Sequence, residues 1–137
     1  MINSYNTATQ ELDVNEDIVF STNRISTDYT ISHISGATTF VITKPGYYLV
    51  EFNGDGATQA TAGLVTTALF KNGVEVEGAE ASEYSSAATE VVNLGFSSVI
   101  KVLPACCCVD NNVILTIRNT GVASTFTNAN LIITKLH

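Results

Sequence analysis

The segment of residues 44–52 constrains the fold of this chain more than any other. Its sequence, Lys-Pro-Gly-Tyr-Tyr-Leu-Val-Glu-Phe, places a turn-forming Pro45-Gly46 pair directly before alternating large apolar residues. That alternation is typical of a β-strand with one buried face. Further along, a second apolar run ends in Asn72-Gly73, the dipeptide that most strongly indicates a two-residue β-hairpin turn. The two segments predict a domain built from hairpins.

Short apolar segments separated by turn residues continue along the rest of the chain. The longest predicted strand covers residues 90–103 and ends at Pro104. Apolar residues do not recur at a helical spacing for long enough to predict a helix. Roughly eight to ten short strands, about ten residues apart, predict an all-β sandwich or jelly roll. We assign residues 18–137 to this domain and residues 1–17, which are polar and acidic, to an N-terminal arm.

The charge content is low, and its balance is acidic. Only 14% of the 137 residues are charged, whereas about a quarter is usual for a soluble domain. The chain has 13 acidic and 6 basic residues, for a net charge of −7. Such a surface repels a phosphate backbone, so we expect no nucleic-acid partner. No apolar run approaches the roughly 20 residues of a membrane helix, so we expect no membrane partner either.

Three predicted strands carry apolar residues on both of their faces. They cover residues 63–70, 113–117 and 131–133. A sandwich core covers only one face of a strand, so the other face needs a second cover, which another copy of the chain can supply. Tyr47 lies opposite Tyr48 on its strand and is expected to pack against a neighbour as well. The residues predicted to lie in the core or in a subunit interface are Tyr47, Leu64, Phe70, Ile114, Leu115, Ile132 and Ile133.

The order of several short motifs resembles that of a known family, the trimeric jelly rolls of tumour necrosis factor and complement-q-type globular domains. The resemblance covers residues 37–136. Its motifs are Pro45-Gly46-x-Tyr48-x-Val50-x-Phe52, Leu69-x-Lys71-Asn72-Gly73-Val74, Asp110-Asn111-Asn112-Val113-x-Leu115 and Leu131-x-Ile133. It implies a ten-stranded antiparallel jelly roll that forms a homotrimer and binds or coats, without catalysis and without a cofactor.

The bacterial and phage branch of that family, found on spore-surface proteins and virion fibres, is the most similar. The chain has no Gly-x-y collagen repeat, which favours a stand-alone subunit on a virion surface, either a capsid decoration protein or a fibre head. Its partners would be its own copies and a capsid or tail protein. The alternatives are a bacterial spore- or cell-surface protein, or a module whose loops 55–63 and 82–89 bind a surface glycan or receptor.

Cys106, Cys107 and Cys108 are consecutive and are the only cysteines. In an extended strand Cys106 and Cys108 point the same way about 6.5–7 Å apart, too far for the Cβ separation of about 4 Å that a disulfide requires. They are therefore reduced and buried, bonded between subunits, or ligands of a metal. In the resembled trimer this loop lies near the three-fold axis, where thiolates could hold zinc.

No pattern of catalytic residues is present in the sequence. Gly-x-Ser-x-Gly, His-Glu-x-x-His and nucleotide-binding fingerprints are absent. His33 lies in an alternating strand and is expected to make an ordinary hydrogen bond. The acidic residues Glu75, Glu77, Glu80 and Glu83 could bind calcium, but a solvated strand edge that deters unwanted pairing is the favoured interpretation. We therefore expect no enzyme activity.

Overall fold

The computed structural model describes residues 1–27, 29–104 and 112–137. These ranges form eleven β-strands and no helix. The strands are β1 (Ile2–Asn6), β2 (Gln10–Leu12), β3 (Thr22–Ser26), β4 (Ile31–Ser32), β5 (Phe40–Ile42), β6 (Gly46–Thr58), β7 (Gly63–Lys71), β8 (Val74–Ser85), β9 (Val92–Val102), β10 (Val113–Asn119) and β11 (Ser124–Lys135). The described residues therefore include no helix that is long and apolar enough to span a membrane.

The strands form two antiparallel sheets. Sheet A has the order β3-β1-β11-β6-β9, and sheet B has the order β4-β5-β10-β7-β8. The short strand β2 lies off this path and pairs with β11. Apart from the consecutive pairs β4-β5 and β7-β8, neighbours in each sheet are distant in sequence, so the chain crosses repeatedly between the sheets, as in a jelly roll. The predicted all-β, ten-stranded antiparallel jelly roll is confirmed, and β2 is an additional short strand.

The core lies between the two sheets and is filled largely by every second residue of strands such as β6, β10 and β11. In β6, Tyr48, Val50 and Phe52 are buried against it, as the alternation predicts. Leu115 of β10 and Ile133 of β11 are also fully buried. The predicted hairpin turn is confirmed, because Asn72 and Gly73 have φ values of 51° and 79° and join the paired residues Lys71 and Val74.

The N-terminal segment is not an arm, contrary to the predicted boundary at residue 17. Strand β1 lies inside sheet A, between β3 and β11, and Ile2 and Ser4 are buried. Its polar residues are accommodated by hydrogen bonds within the sheet: Asn3 Nδ2 donates to the Leu131 carbonyl and to Asn130 Oδ1. Buried polar groups need such partners. The segment has few apolar residues, so the sequence pattern missed a strand that mainly pairs through its backbone.

Candidate binding face on sheet A

The outer face of sheet A, which points away from the core, changes in character along the strands. Strand β6 crosses its middle and presents the residues that alternate with the buried ones: Tyr47, Leu49, Glu51, Asn53 and Asp55. Apolar side chains lie at the end where β6 begins, and amide side chains lie toward the other end. We call these two regions the apolar half and the amide half.

The apolar half consists of Tyr47, Leu49, Val99 and Leu136. Leu49 lies directly opposite Val99 of β9, and the N–H of Leu136 donates to the Tyr47 carbonyl at 2.7 Å. Three of these side chains are largely exposed: Tyr47 at 44%, Val99 at 54% and Leu136 at 45%. The Lys101 ammonium lies 5.7 Å from the centre of the Tyr47 ring. Adjacent exposed apolar side chains on a paired sheet are typical of a surface that another protein covers.

The amide half is a network of asparagine side chains. Asn93 Nδ2 donates to Asn53 Oδ1 at 3.1 Å and to Asp55 Oδ1 at 2.9 Å, joining β9 to β6. Asn130 of β11 accepts a hydrogen bond from Asn3 of β1 at 2.8 Å. Each of these two sets is held by its own hydrogen bonds, and Asp55 is the charged member, so together they form an ordered polar surface.

A cleft of about 270 Å³ lies at the edge of the amide half. It is lined by Tyr5, Thr7, Arg24, Asn128, Ala129 and Asn130. The Arg24 guanidinium lies over the Tyr5 ring, 4.6 Å from its centre. Sequence reasoning missed this cleft because residues 1–17 were assigned to an arm. The residues Ile2-Asn3-Ser4-Tyr5 show no apolar alternation, so the sequence carries no signal for this strand or for the cleft beside it.

The structure divides the seven residues predicted for a core or an interface among three places. Leu115 and Ile133 lie in the core. Tyr47 and the half-buried Ile132 lie on the outer face of sheet A. Leu64, Phe70 and Ile114 lie on the outer face of sheet B, where Leu64 and Ile114 are 52% and 44% exposed. The seven residues therefore do not form one patch, and a role of any of them in subunit contact stays a prediction.

Phe70 is covered within the chain. The Arg118 guanidinium lies over its ring, 4.1 Å from the centre, and is held there by a hydrogen-bonded ion pair with Asp17 at 2.9 Å. A strand face covered in this way does not require a second subunit. A sequence does not show which long side chain folds back over a strand, so two apolar faces are weaker evidence for Phe70, whose place in a subunit interface stays a prediction.

The cysteine cluster, Cys106, Cys107 and Cys108, lies outside the described residues. Within those residues, no group of three His, Cys, Asp or Glu side chains is placed to hold a metal ion. Zinc or an intersubunit disulfide at the cysteines stays a prediction.

His33 is half-buried beside the aromatic part of the core. Its ring is stacked on Phe40 at 4.1 Å, and its nitrogens contact Asn23 Oδ1 and the Ala37 carbonyl. Burial lowers its pKa, and the hydrogen bond to Ala37 acts in the opposite direction. These contacts agree with the predicted structural role.

The acidic residues of β8 lie on an exposed strand at the edge of sheet B. Glu75 and Glu80 contact each other across a register irregularity, and their shared hydrogen bond and mutual repulsion raise the pKa of Glu80. The predicted interpretation of a charged, solvated edge matches this position.

Comparisons with known proteins identify the fold. No family model and no curated protein matches the sequence. Among solved structures, the globular domain of zebrafish complement 1qA protein has a TM-score of 0.71 and 10% identity, covering 99% of this chain and 96% of that chain. The chain has the complement-q and tumour necrosis factor jelly roll. This confirms the resemblance stated from the sequence motifs.

Two further solved structures show the range of proteins with this jelly roll. Eiger TNF from S. frugiperda has a TM-score of 0.64 and 13% identity, covering 99% of this chain and 92% of that chain. The PRD1 vertex protein P5 has a TM-score of 0.58 and 10% identity, covering 99% and 96%. At these identities the likeness is one of fold. It includes both animal proteins and a vertex protein.

Proposed function

We propose that this chain is a non-enzymatic structural or adhesive subunit of a virion surface, and that it acts as a homotrimer. The observation that carries the proposal is the apolar half of the sheet A outer face, where Tyr47, Leu49 and Val99 are adjacent and incompletely buried. The trimeric arrangement is the one implied by the resemblance to tumour necrosis factor and complement-q domains.

Further copies of the same chain suit this face for two reasons. Its exposed side chains are mainly apolar or neutral. Covering them therefore removes apolar surface from water and leaves few charges buried without a partner. The charges that are present have opposite signs: Glu51 lies beside the apolar half, and Lys101 lies over Tyr47. In a ring of three copies, a carboxylate of one copy can meet an ammonium of the next.

The non-enzymatic assignment and the virion location draw on the sequence and the fold. The sequence contains none of the common catalytic fingerprints. One protein of the same fold is a vertex protein. A bacterial spore or cell surface is the alternative location. The two locations imply different anchoring partners, a capsid or tail protein in one case and a coat protein in the other.

Native mass spectrometry at micromolar concentration tests the assembly. We expect three times the mass of the 14.6-kDa chain. Val99→Asp should yield mostly single chains, because it places a carboxylate in the proposed contact. Val74→Asp is the matched control, since Val74 is an equally accessible strand valine at 70% exposure on sheet B. A wild-type protein of one chain's mass, or equal behaviour of the two variants, would contradict the trimer through this face.

Labelling with antibodies raised against the purified protein tests the location. In electron micrographs of material from the organism that encodes the chain, we expect gold particles on virions. Label confined to spores or to cell envelopes would support the alternative and exclude the virion role.

A further inference from the structure

We propose that the cleft formed by Tyr5, Arg24, Asn128 and Asn130 binds an acidic sugar, a sugar unit that carries one carboxylate. This inference deepens the proposed adhesive function and rests on it, because it supplies the ligand that an adhesive subunit would hold. It places the site on the sheet A face instead of on the loops 55–63 and 82–89.

The cleft is built by two irregularities in the strands that flank β1. The pairing of β1 with β3 shifts between Asn3 and Ser4, which leaves Arg24 as the extra residue of β3. The pairing of β11 with β6 also shifts, and Asn128 there has a φ of 53°, in the left-handed region. Such bulges redirect side chains and occur often beside binding sites. Here both bulged segments contribute a polar side chain to the same cleft.

Arg24 supplies a positive charge that is available to a ligand. Arg118 pairs with Asp17, whereas Arg24 has no carboxylate partner within the described residues. Its guanidinium is instead positioned by the Tyr5 ring. A guanidinium binds a carboxylate through two parallel hydrogen bonds, so an exposed, pre-positioned arginine suits a ligand with one carboxylate.

The rest of the cleft offers neutral hydrogen-bonding groups. Asn130 uses its oxygen to accept from Asn3, which leaves its NH₂ group free to donate. Asn128 uses its NH₂ group to contact Asp55 at 3.4 Å, which leaves its oxygen free to accept. Thr7 adds a hydroxyl. Because each sugar hydroxyl both donates and accepts, a mixture of donors and acceptors suits a sugar.

The charge of the chain and the size of the cleft limit the class of ligand further. The chain has a net charge of −7, so a polyanion would be repelled, whereas a ligand with a single carboxylate needs only Arg24. The cleft of about 270 Å³ lies just below the range of about 300–1,000 Å³ for drug-sized ligands. It therefore suits one terminal sugar of a glycan more than a long chain.

Saturation-transfer NMR with N-acetylneuraminic acid and glucuronic acid tests the proposal, with glucose as the neutral probe and acetate as the bare carboxylate. We expect transfer to at least one acidic sugar and none to glucose or acetate. Arg24→Gln should weaken the binding at least about tenfold, since a charge-assisted bidentate contact is lost. Lys44→Gln, which removes an exposed positive charge elsewhere, should leave binding unchanged.

Three results would overturn the proposal: no transfer to either acidic sugar, equal transfer to glucose or acetate, or an equal loss in Lys44→Gln. Native mass spectrometry of the same samples separates this inference from the proposed assembly. If the wild-type protein is a trimer but binds neither acidic sugar, the sugar site is contradicted and the trimer is not. If the protein has the mass of one chain but binds an acidic sugar through Arg24, the trimer is contradicted and the sugar site is not.

Discussion

The guanidinium carbon of Arg118 lies 4.1 Å from the centre of the Phe70 ring, while its Nε donates to Asp17 at 2.9 Å. This pair of contacts joins β10 to β7 and to the segment before β3. We expect Arg118→Ala to lower the free energy of unfolding by about 1–2 kcal/mol, the sum of a cation–π contact and a partly exposed ion pair. Urea denaturation at a fixed protein concentration measures it. Arg24→Ala removes an arginine that has no carboxylate partner among the described residues, so it should lower the free energy of unfolding by less. An equal loss in the two variants would contradict this account.

The fully buried positions Leu115 and Ile133 should not tolerate charge. Leu115→Asp or Ile133→Asp leaves a carboxylate in an apolar core, and we expect either protein to be insoluble or unfolded. Ile133→Ala should fold with a loss of about 2–5 kcal/mol, which circular dichroism during urea denaturation can measure. Glu77→Ala, on an exposed position of β8, should be nearly silent. A soluble, thermostable Leu115→Asp protein would show that Leu115 does not lie in the core.

Gly121 should be irreplaceable, whereas Gly95 should not. A Cβ at Gly121 would lie 2.3 Å from the Leu64 carbonyl oxygen and 2.8 Å from the Thr66 nitrogen, both backbone atoms of β7. Gly121→Ala must therefore push two paired segments apart, and we expect a loss of about 2 kcal/mol or more in unfolding free energy. At Gly95 the nearest atom would be at 3.4 Å, an ordinary contact, so Gly95→Ala is the matched control. Similar losses in both variants would contradict this prediction.

His33 should make stability depend on pH near neutrality. Its pKa in the folded protein lies below the ordinary 6.5 because of burial, so between these two values the unfolded chain binds more protons. Stability should thus be complete above pH 6.5 and fall as the pH decreases below it. Urea midpoints between pH 7.5 and 5.5 measure this slope. In His33→Gln the slope should flatten, and an unchanged slope would assign the effect to other groups.

Deleting residues 1–17 should prevent folding. The deletion removes β1, which pairs with β11 along Ile2–Asn6, and it takes the buried Ile2 out of the core. We expect an aggregated or unfolded product by circular dichroism and gel filtration. Glu11→Gln is the control for loss of charge in the same segment and should fold normally. A soluble, folded truncation would restore the interpretation of this segment as an arm.

The hairpins of the fold could be predicted because their signals are local. Pro45-Gly46 and the alternation after it define β6, and Asn72-Gly73 defines the turn between β7 and β8. Strand β1 could not be recognised, since its residues are mostly polar and become buried only through pairing with β11, more than a hundred residues away. A glycine inside a strand often marks a bulge, yet Gly95 pairs in regular register with Asn53.

The binding face was only partly predictable for the same reason. Tyr47 was expected to contact a neighbour, and it lies in the apolar half. The cleft depends on Tyr5, Arg24 and Asn130, which come from three separate strands. No spacing within the sequence relates them, because their proximity arises from strand order and from two bulges.

The antiparallel pairing of β1 with β11 has a consequence for synthesis. Ile2 is synthesised more than a hundred residues before its partner Ile133. The β3-β1 pair and the β6-β9 pair of sheet A therefore cannot be joined until β11 has been synthesised, and contacts of such long range slow folding. Nascent chains should stay accessible to chaperones and proteases until β11 has left the ribosome, and become protected afterwards.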